Sequence, residues 1–434
     1  MENKEKIMYY IVILGIFVLL ATVLIHNMIK VPSYNQQYIE SKLPERLQKE
    51  SETNEVIRVL IKSNGFKQIV HTKVQLYAAK GLKVITGDDV LEYAPKQVCS
   101  IEPDSKLFEK GSIKVETLDG IGKITIKTLK RGYGIPSYRG TLELFSTAEG
   151  IVIVNELLME EYLCAVVPSE MPASYEMEAL KAQAICARSY AYNQSRSLSY
   201  PEYNAHVDDS TTYQVYGNSK EQEKAIQAVH LTAGQKVWYQ DKVAKTFFYS
   251  TSSGHSTSIE AWGTKMTEKN QYLKGIKIHD EEGHAYEKDL PWYRWTAQIS
   301  KDMLNNLVEL NTGTQIGKIK KIEVTKRGVG DVALELVITG SKDTITIKTE
   351  NDIRSVFGGN GYKIIRQDGS KKNSSSLLPS AFFTIEKNGN DYIIKGGGYG
   401  HGIGMSQNGA NEMAKTGKTY EEILTFFYPG TKVE

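Results

Sequence analysis

A glutamate between two prolines is the side chain of this sequence best suited to proton transfer. Glu170 lies in the segment EEYLCAVVPSEMP (160–172), where Pro168 and Pro172 restrict the backbone. We interpret the apolar part as strand-like, followed by a turn that carries Glu170 into a helix. Rigid flanks hold a carboxylate in place for general acid–base catalysis. The alternative is a glutamate that merely lies near a helix N-terminus, which favours its ionised form, whereas a general acid needs apolar burial to raise its pKa.

A second group of polar side chains follows in HVDDSTTYQVYG (206–217). We select His206, Asp209 and Gln214 from it as substrate-binding residues. His206 and the two aspartates, Asp208 and Asp209, are conceivable metal ligands, but no matching ligand pair lies nearby at a diagnostic spacing. The segment is therefore predicted to bind substrate and no metal.

Hydroxyl side chains crowd the segment FFYSTSSGHSTSIEAWG (247–263). A Ser/His hydrolase is conceivable, but the G-x-S-x-G elbow of that class is absent from the segment. We predict a sugar-binding loop to which Ser252, Ser253 and Trp262 contribute.

Glycine dominates KGGGYGHGIGMSQNGA (395–410), which contains seven glycines. A backbone of this kind adopts positive φ or packs closely, which leaves Tyr399, His401, Ser406 and Gln407 as the functional side chains. We select Tyr399, His401 and Gln407 from them as substrate-binding residues. A phosphate-binding loop is the rival interpretation, but neither G-x-G-x-x-G nor G-x-x-x-x-G-K-[ST] fits the segment. The other alternative is a tight structural turn with a histidine that has its hydrogen bonds satisfied.

One helix is predicted to position these segments. Ser174 is its expected N-cap, and apolar residues recur at spacings of three and four. They are Met177, Leu180, Ala184, Ala187 and Ala191. Small residues also lie off this stripe, so we expect a central helix that neighbouring segments approach closely. A capping box of Thr419 and Glu422 predicts a final helix.

Alternating apolar and polar residues, as in VIRVLIK, KITIKTL and GTLELF, predict half-buried strands in 56–150. A second such stretch falls within 301–376 and is interpreted as a β-rich insertion, whose end, GSKKNSSS (369–376), is predicted to be a solvated loop. The remainder, 151–300 and 377–434, forms the predicted core around the central helix. The expected fold class is α+β, with β-rich subdomains.

The N-terminal region predicts a membrane anchor. Ile7 to Ile25 are 19 residues without a charge, enough to cross about 30 Å of hydrocarbon at about 1.5 Å per residue. No small-x-small cleavage site follows, so we expect an uncleaved helix over 7–29, a cytoplasmic tail over 1–6 and a stalk over 30–55. The expected location is the cell membrane, with a single span and the folded part outside.

Charge and cysteine content exclude several classes of protein. The 53 lysines and arginines nearly balance the 51 aspartates and glutamates, so an extended basic face for nucleic acid is not expected. The cysteines, Cys99, Cys164 and Cys186, are too few and irregular for a disulfide framework or a zinc cluster with repeated cysteine pairs.

Taken in order, VVPSEMP, EALKAQAICARSYAY, YQVYG, SSGHSTS and GGGYGHGIGMSQNGA resemble the stage II sporulation protein D family and its amidase-enhancer relatives. IRSVFGG (353–359) also occurs in the family's order, and the resemblance covers 56–430. It implies a lytic transglycosylase that cuts peptidoglycan strands whose stem peptides have been removed. It also implies that Glu170 is catalytic.

The implied reaction needs only one carboxylate, because the C6 hydroxyl of the substrate acts as nucleophile. Lys181 and Arg188, one heptad apart, either hold the lactyl carboxylate of muramic acid or are helix surface charges. Some relatives bind zinc through cysteine and histidine just before the Q-x-Y element. Here Tyr213 precedes Gln214 and no cysteine follows Cys186, so we expect no metal and no cofactor.

Two functions stay open: an enzyme that cuts glycan, and a non-catalytic wall-binding protein that enhances an N-acetylmuramoyl-L-alanine amidase partner. The fold serves both. Glu170 in its rigid setting favours the enzyme.

The uncharged N-terminal run generates a test of the anchor. We expect the full-length chain to stay in the membrane fraction, and protease added outside intact cells to remove the folded part, because an uncleaved span keeps the two connected. Immunoblotting of membrane and medium measures this. A shortened, soluble mature form in the medium would contradict the anchor.

Overall fold

Strands form most of the regular structure in residues 55–434, the part of the chain that the computed structural model describes. In the first half they are β1 Val56–Ile61, β2 Val70–His71, β3 Val74–Tyr77, β4 Leu82–Thr86, β5 Asp89–Tyr93, β6 Val98–Ile101, β7 Ile113–Thr117, β8 Ile124–Ile126, β9 Ser137–Tyr138, β10 Thr141–Thr147, β11 Gly150–Leu158 and β12 Val207–Asp208. In the second half they are β13 Val237–Tyr239, β14 Lys242–Val243, β15 Phe248–Tyr249, β16 Trp295–Ser300, β17 Lys321–Arg327, β18 Ala333–Thr339, β19 Thr344–Lys348, β20 Lys363–Arg366, β21 Lys371–Asn373, β22 Phe383–Asn388, β23 Asp391–Gly396, β24 Met405–Ser406 and β25 Lys432–Val433.

The helices of these residues lie between and after the strands. They are α1 Met159–Glu170, α2 Met177–Gln194, α3 Glu223–Leu231, α4 Lys301–Thr312, α5 Glu350–Val356, α6 Gln407–Lys415 and α7 Tyr420–Phe427. The α+β class is confirmed. Within 55–434 no helix is both long and apolar enough to span a bilayer. The predicted tail (1–6) and anchor (7–29), and all but the last residue of the predicted stalk, lie outside the described residues.

The largest sheet positions helix α1. Its strands run in the order β12-β1-β11-β10-β7-β4-β5, with β2 also paired to β11. Val56 pairs with Leu158 and Ile61 with Ile153, so β1 and β11 lie side by side over their length and β11 leads directly into α1. The strands predicted in 56–150 are confirmed.

The segment before Glu170 is a helix, and its prediction as strand-like was wrong. The buried residues of α1 fall at helical spacings of three and four, because one face of the helix packs on the core. They include Met159, Tyr162, Leu163, Val166 and Val167. Pro168 lies inside α1, where it has no N–H to donate to the Cys164 carbonyl, and the Ser169 hydroxyl donates to the carbonyl of Ala165 at 2.7 Å.

The central position of α2 is confirmed. Its buried residues are mostly small and face several neighbours, since α2 packs against α1, α3, α6 and α7. The predicted cap was wrong: the N-cap is Glu176 rather than Ser174, and no side chain caps it. Asn411 of α6 supplies a partner instead, because its side-chain oxygen accepts from the Glu176 N–H at 2.9 Å. In α7 the capping box of Thr419 and Glu422 is confirmed.

A second hydrophobic core gathers residues between Trp295 and Ile394. It lies among the sheet β21-β20-β16-β23-β22, the sheet β17-β18-β19, and helices α4 and α5. The strands predicted from 320 to 348 are confirmed within it. The loop predicted over 369–376 was wrong in part, because β21 pairs with β20 there. All of β21 is exposed and lysine-rich, as is common in edge strands, which explains why its sequence resembles a loop.

Two glycine- and hydroxyl-rich segments meet as neighbouring strands. Phe248 pairs with Met405 and Tyr249 with Ser406 in the short parallel pair β15–β24. This pairing places the predicted sugar-binding loop beside the glycine-rich segment, although more than 150 residues separate them along the chain.

A buried ion pair joins the loop between β8 and β9 to the segment after β12. Asp209 accepts from the Arg131 guanidinium and, at 3.0 Å, from the Lys62 N–H. Both charged side chains are completely shielded from solvent. Removal of one partner leaves the other charge buried without compensation.

We therefore expect Asp209→Ala to lower the free energy of unfolding by about 3–5 kcal/mol, because Arg131 loses its counter-charge. Urea denaturation measures it. The matched control is Asp89→Ala, which breaks an exposed pair with Lys110 at 2.6 Å and should cost at most about 1 kcal/mol. Equal losses in the two variants would contradict a special role for the buried pair.

Candidate active site

Glu170 ends helix α1 and has lost most of its contact with water. Its Oε1 accepts one hydrogen bond, from the Val215 N–H at 2.6 Å. Burial raises the pKa of Glu170 to about 7, and the Val215 hydrogen bond opposes the shift only in part. Because the residue lies at a helix C-terminus, the helix dipole gives no help to its ionised form. Its setting is that of a general acid.

Gln407 controls the position of Glu170 through the main chain. Its Nε2 donates to the Glu170 carbonyl oxygen at 3.0 Å and to Gln183 Oε1 at 3.3 Å. Ser406 caps helix α6 by accepting from the Gly409 N–H at 3.2 Å, which fixes the start of the helix that carries Gln407. Gln407 therefore positions the end of α1 and does not contact the carboxylate.

Gln214 secures the segment that supplies the Val215 N–H. Its Oε1 accepts from the Tyr162 hydroxyl at 3.2 Å and its Nε2 donates to the Ala187 carbonyl at 3.3 Å. It is almost completely buried between α1 and α2. Its observed contacts are within the protein.

A row of aromatic rings begins at Tyr190 on helix α2. Burial raises the pKa of Tyr190 to about 12, and the charges of Tyr213 and Glu170 add to the shift. The ring centroids of Tyr190 and Phe247 are 6.1 Å apart, those of Phe247 and Trp262 are 4.7 Å apart, and those of Trp262 and His401 are 4.9 Å apart. We call these four side chains the aromatic row. All four are partly exposed, so the row borders a surface that substrate can reach.

His401 and Trp262 are fixed within this row. The His401 Nδ1 accepts from the Ile403 N–H at 3.1 Å, and burial, helped by the Arg354 charge, lowers the pKa of His401 to about 3. The imidazole is therefore neutral at pH 7. The Trp262 Nε1–H donates to Glu350 at 2.9 Å, which fixes the plane of the indole.

Ser252 meets a buried carboxylate that the sequence did not single out. Glu287 accepts from the Ser252 N–H at 2.9 Å, from the Ser252 hydroxyl, and from the Ser406 hydroxyl at 2.7 Å. Burial raises the pKa of Glu287 to about 7. Glu287 thus links the loop around Ser252 to Ser406, the N-cap residue of α6.

Tyr399 and Ser253 lie further along the same loops. The Tyr399 ring packs on Trp292 at 4.7 Å and is 42% exposed, while its main chain pairs with Thr251. The Ser253 carbonyl accepts from Arg294 at 3.0 Å, and Ser253 lines a pocket of about 510 Å³. Neither side chain contacts Glu170 or the aromatic row.

Four of the candidates are engaged within the protein. Arg188 donates to both oxygens of Glu160 at 2.7 Å and is completely buried. Lys181 pairs with Glu178 at 2.7 Å. Asp209 belongs to the ion pair with Arg131 described above, and the His206 Nδ1 accepts from the Arg58 N–H at 3.1 Å. In this structure each of the four has at least one partner within the protein, and their contact with substrate stays a prediction.

The residues present do not fit the zinc site of some relatives. Residues 55–434 contain no group of three or more His, Cys, Asp or Glu side chains placed to hold a metal ion. All three cysteines are buried free thiols, and Cys186 packs near Met405 and Tyr428.

Comparison with known proteins agrees with the order of motifs. A family described as "Stage II sporulation protein" matches residues 147–239, and a domain of unknown function matches 235–404. Stage II sporulation protein D of Bacillus subtilis is 32% identical over 296 residues, 64% of this chain and 75% of that protein. The chain belongs to the stage II sporulation protein D family.

Two further relatives widen this family relationship. An uncharacterised protein of Brachyspira hyodysenteriae is 34% identical over 304 residues, 68% of this chain and 72% of that protein. A protein named amidase enhancer from Bacillus subtilis is 28% identical over 292 residues, 62% of this chain but only 40% of that protein. The first family match ends near β13, so Glu170 falls within it, whereas Trp262 and His401 fall within the second.

Sequence reasoning missed Gln183, Tyr190 and Glu287. Gln183 and Tyr190 lie seven residues apart on α2, so a polar line beside the apolar stripe was a usable signal. Within the described residues the Gln183 Nε2 is buried without a hydrogen-bond partner. Glu287 stands in no motif, and its contacts with Ser252 and Ser406 depend entirely on the tertiary fold.

The pKa of Glu170 generates a stability prediction. Since folding raises this pKa, the folded chain binds more protons than the unfolded chain between about pH 4.5 and 7, and the protein loses stability as pH rises through that range. We expect Glu170→Gln to increase the free energy of unfolding by about 1–3 kcal/mol at pH 8 and to leave it unchanged at pH 4. Thermal melts at the two pH values measure the difference.

The control for this experiment is Glu161→Gln, on the same helix, since the Glu161 side chain has no hydrogen bond or ion pair within 55–434. It should gain no stability at pH 8 and lose at most about 1 kcal/mol there, because Glu161 lies in the first turn of α1, where a negative charge is favourable. A Glu170→Gln variant that melts identically to the unaltered protein at pH 8 would contradict the raised pKa.

Proposed function

We propose that the protein is a peptidoglycan lytic transglycosylase that cleaves peptide-free glycan strands between MurNAc and GlcNAc and leaves 1,6-anhydro-MurNAc ends. The observation that carries the proposal is the buried Glu170 carboxyl, whose pKa of about 7 lets it both give and take a proton at neutral pH. Membership of the stage II sporulation protein D family supports the same reaction class.

In this reaction Glu170 acts twice. As the neutral acid it donates its proton to the glycosidic oxygen while the bond from that oxygen to C1 of MurNAc breaks. The resulting carboxylate then takes the proton of the MurNAc C6 hydroxyl, whose oxygen bonds to C1 and closes the anhydro ring. The proton balance is restored and no water is consumed, so the catalyst is regenerated in its starting form.

The electrostatics of Glu170 favour a one-carboxylate mechanism. A second carboxylate at catalytic distance, as in ordinary glycosidases, would add its charge to the causes of the pKa shift. Burial and the Val215 N–H account for the shift, without a contribution from any other carboxylate of residues 55–434. The substrate's own hydroxyl therefore takes the role of nucleophile.

The aromatic row provides one wall for the strand. Ligand sites are commonly lined by aromatic surface with a few fixed polar groups, and the row combines both through Trp262 and the neutral His401. We assign these two residues, with Tyr190, to the placement of sugar rings next to Glu170. Tyr399 is assigned to a more distant contact with the strand.

The wider role follows from family membership and the N-terminal sequence. We assign the protein to wall remodelling of the kind that occurs in sporulation, anchored to the membrane by residues 7–29. An amidase that removes stem peptides would supply its substrate, and the relative named amidase enhancer supports such a partnership.

That relative also favours a second candidate: a wall-binding protein that stimulates an amidase without cutting glycan itself. In this case Glu170 would be dispensable, and strand binding would be the whole function.

The substitution Glu170→Gln separates the two functions. It keeps the size and the Val215 hydrogen bond but removes both proton transfers, so cleavage of peptide-free strands should fall about 10²–10⁴-fold while binding persists. Mass spectrometry of the soluble products measures cleavage, and the unaltered protein should yield anhydro-MurNAc ends in place of reducing sugars.

Glu161→Gln is again the matched control and should cleave normally. A Glu170→Gln variant with full activity would remove Glu170 from the mechanism. If neither the unaltered protein nor the variant cleaves, but both bind strands and stimulate an amidase, the enhancer function is the correct one.

A further inference from the structure

The cations first expected to hold the lactyl carboxylate are engaged elsewhere. Arg188 is completely buried with both Glu160 oxygens as partners, and Lys181 pairs with Glu178. A peptide-free strand nevertheless carries one free carboxylate on every MurNAc, whereas an intact strand carries an uncharged amide there. A protein that binds the peptide-free strand in preference to the intact strand therefore needs a cation beside the lactyl carboxylate.

A second pocket of about 500 Å³ offers such cations. Its volume lies within the range typical of ligand sites. Lys242, Lys245 and Lys269 line it, with Asp241 as the one acidic lining residue. All three lysines are exposed, and none of them forms an ion pair within the described chain. With one carboxylate against three lysines, the lining of the pocket carries a net positive charge.

The pocket adjoins the aromatic row. Phe247 and Trp262 belong to the row and also line the pocket, together with Tyr239 and Tyr272, whose ring centroids are 4.8 Å apart. Phe247 packs against Tyr190, whose pKa responds to the Glu170 charge. A chain of ring contacts therefore connects Tyr190 to the pocket.

Helix α2 also runs from Tyr190 toward this pocket. Asn193 lines the pocket and lies three residues after Tyr190, about 4.5 Å further along the helix. Its amide donates to the carbonyls of Val243 and Ala244 at 3.3 and 3.1 Å, which fixes the segment that bears two of the lysines. The Lys245 N–H donates to the Tyr272 hydroxyl at 2.9 Å. The lysines thus stand on a backbone that is held in place.

We propose that this pocket binds a MurNAc unit of the strand beyond the one cleaved, through its free lactyl carboxylate, and so selects strands without stem peptides. The proposal rests on the proposed function and names its specificity determinant. The aromatic side chains contact the sugar ring, and the three lysines attract the carboxylate. A stem peptide at this position would remove that charge and fill the space with an amide-linked chain.

Direct binding tests this without relying on cleavage. The ligands are a GlcNAc–MurNAc tetrasaccharide with free lactyl carboxylates and the same tetrasaccharide with the lactyl groups converted to methylamides. Calorimetry on the Glu170→Gln protein, which leaves the ligand intact, measures both affinities. We expect the carboxylate form to bind roughly tenfold more tightly, and added salt to reduce the difference.

Substitution of the lysines identifies the residues. The triple variant Lys242→Gln, Lys245→Gln, Lys269→Gln should bind the two ligands equally, with the methylamide affinity unchanged. The matched control replaces three exposed lysines of the first half that form no ion pair there, Lys80, Lys127 and Lys130, and should keep the tenfold preference.

Several results would overturn the proposal. They are an intact preference in the triple variant, an equal loss in the control, or displacement of the tetrasaccharide by a glycerol phosphate oligomer at lower concentration, which would make the pocket a phosphate site. Failure of the proposed function looks different. In that case the preference and its loss in the triple variant remain, while the unaltered protein releases no anhydro product.

Discussion

Partial removal of one carboxyl group from water is the constraint on which the arrangement of this site depends. Glu170 receives a single hydrogen bond, so its pKa responds to burial. Burial at the end of a helix requires other segments to cover it, and the covering segments come from Val215 and from Gln407, far along the chain. Gln214 and Gln407 are buried because they hold these segments in place. In the sequence, a glutamine with this positional role looks the same as a glutamine that contacts substrate.

Glu287 shows how differently a second buried carboxyl is treated. It receives three hydrogen bonds from Ser252 and Ser406, yet burial still raises its pKa to about 7. These three hydrogen bonds join two loops, and we assign Glu287 no part in proton transfer. Unsatisfied polar groups in a protein interior are costly. The hydroxyl groups of this loop are therefore needed as hydrogen-bond donors to Glu287 as much as for contact with any ligand.

The sequence predicted the elements better than their contacts. Strands in 56–150, the central helix and the capping box of Thr419 were recognisable because their signals are local. Helix α1 was not recognised, although its buried residues follow helical spacing, because Pro168 and adjacent valines suggested a strand. The partners of Arg188 and Asp209 could not be predicted, since a charge with a buried partner looks the same in sequence as a charge that awaits a ligand. The family resemblance supplied the role of Glu170; the raised pKa required the fold.

The parallel pairing of Phe248–Tyr249 with Met405–Ser406 has a consequence for how the protein reaches its native state. The chain between these strands contains the whole of the second core. Contacts of such sequence separation carry a large loop-closure cost and form slowly unless the intervening segment is already compact. A chain whose second core has already folded closes a shorter effective loop. Weakening of that core is therefore expected to slow the formation of the β15–β24 pair, although the core lies outside the contacts of Glu170.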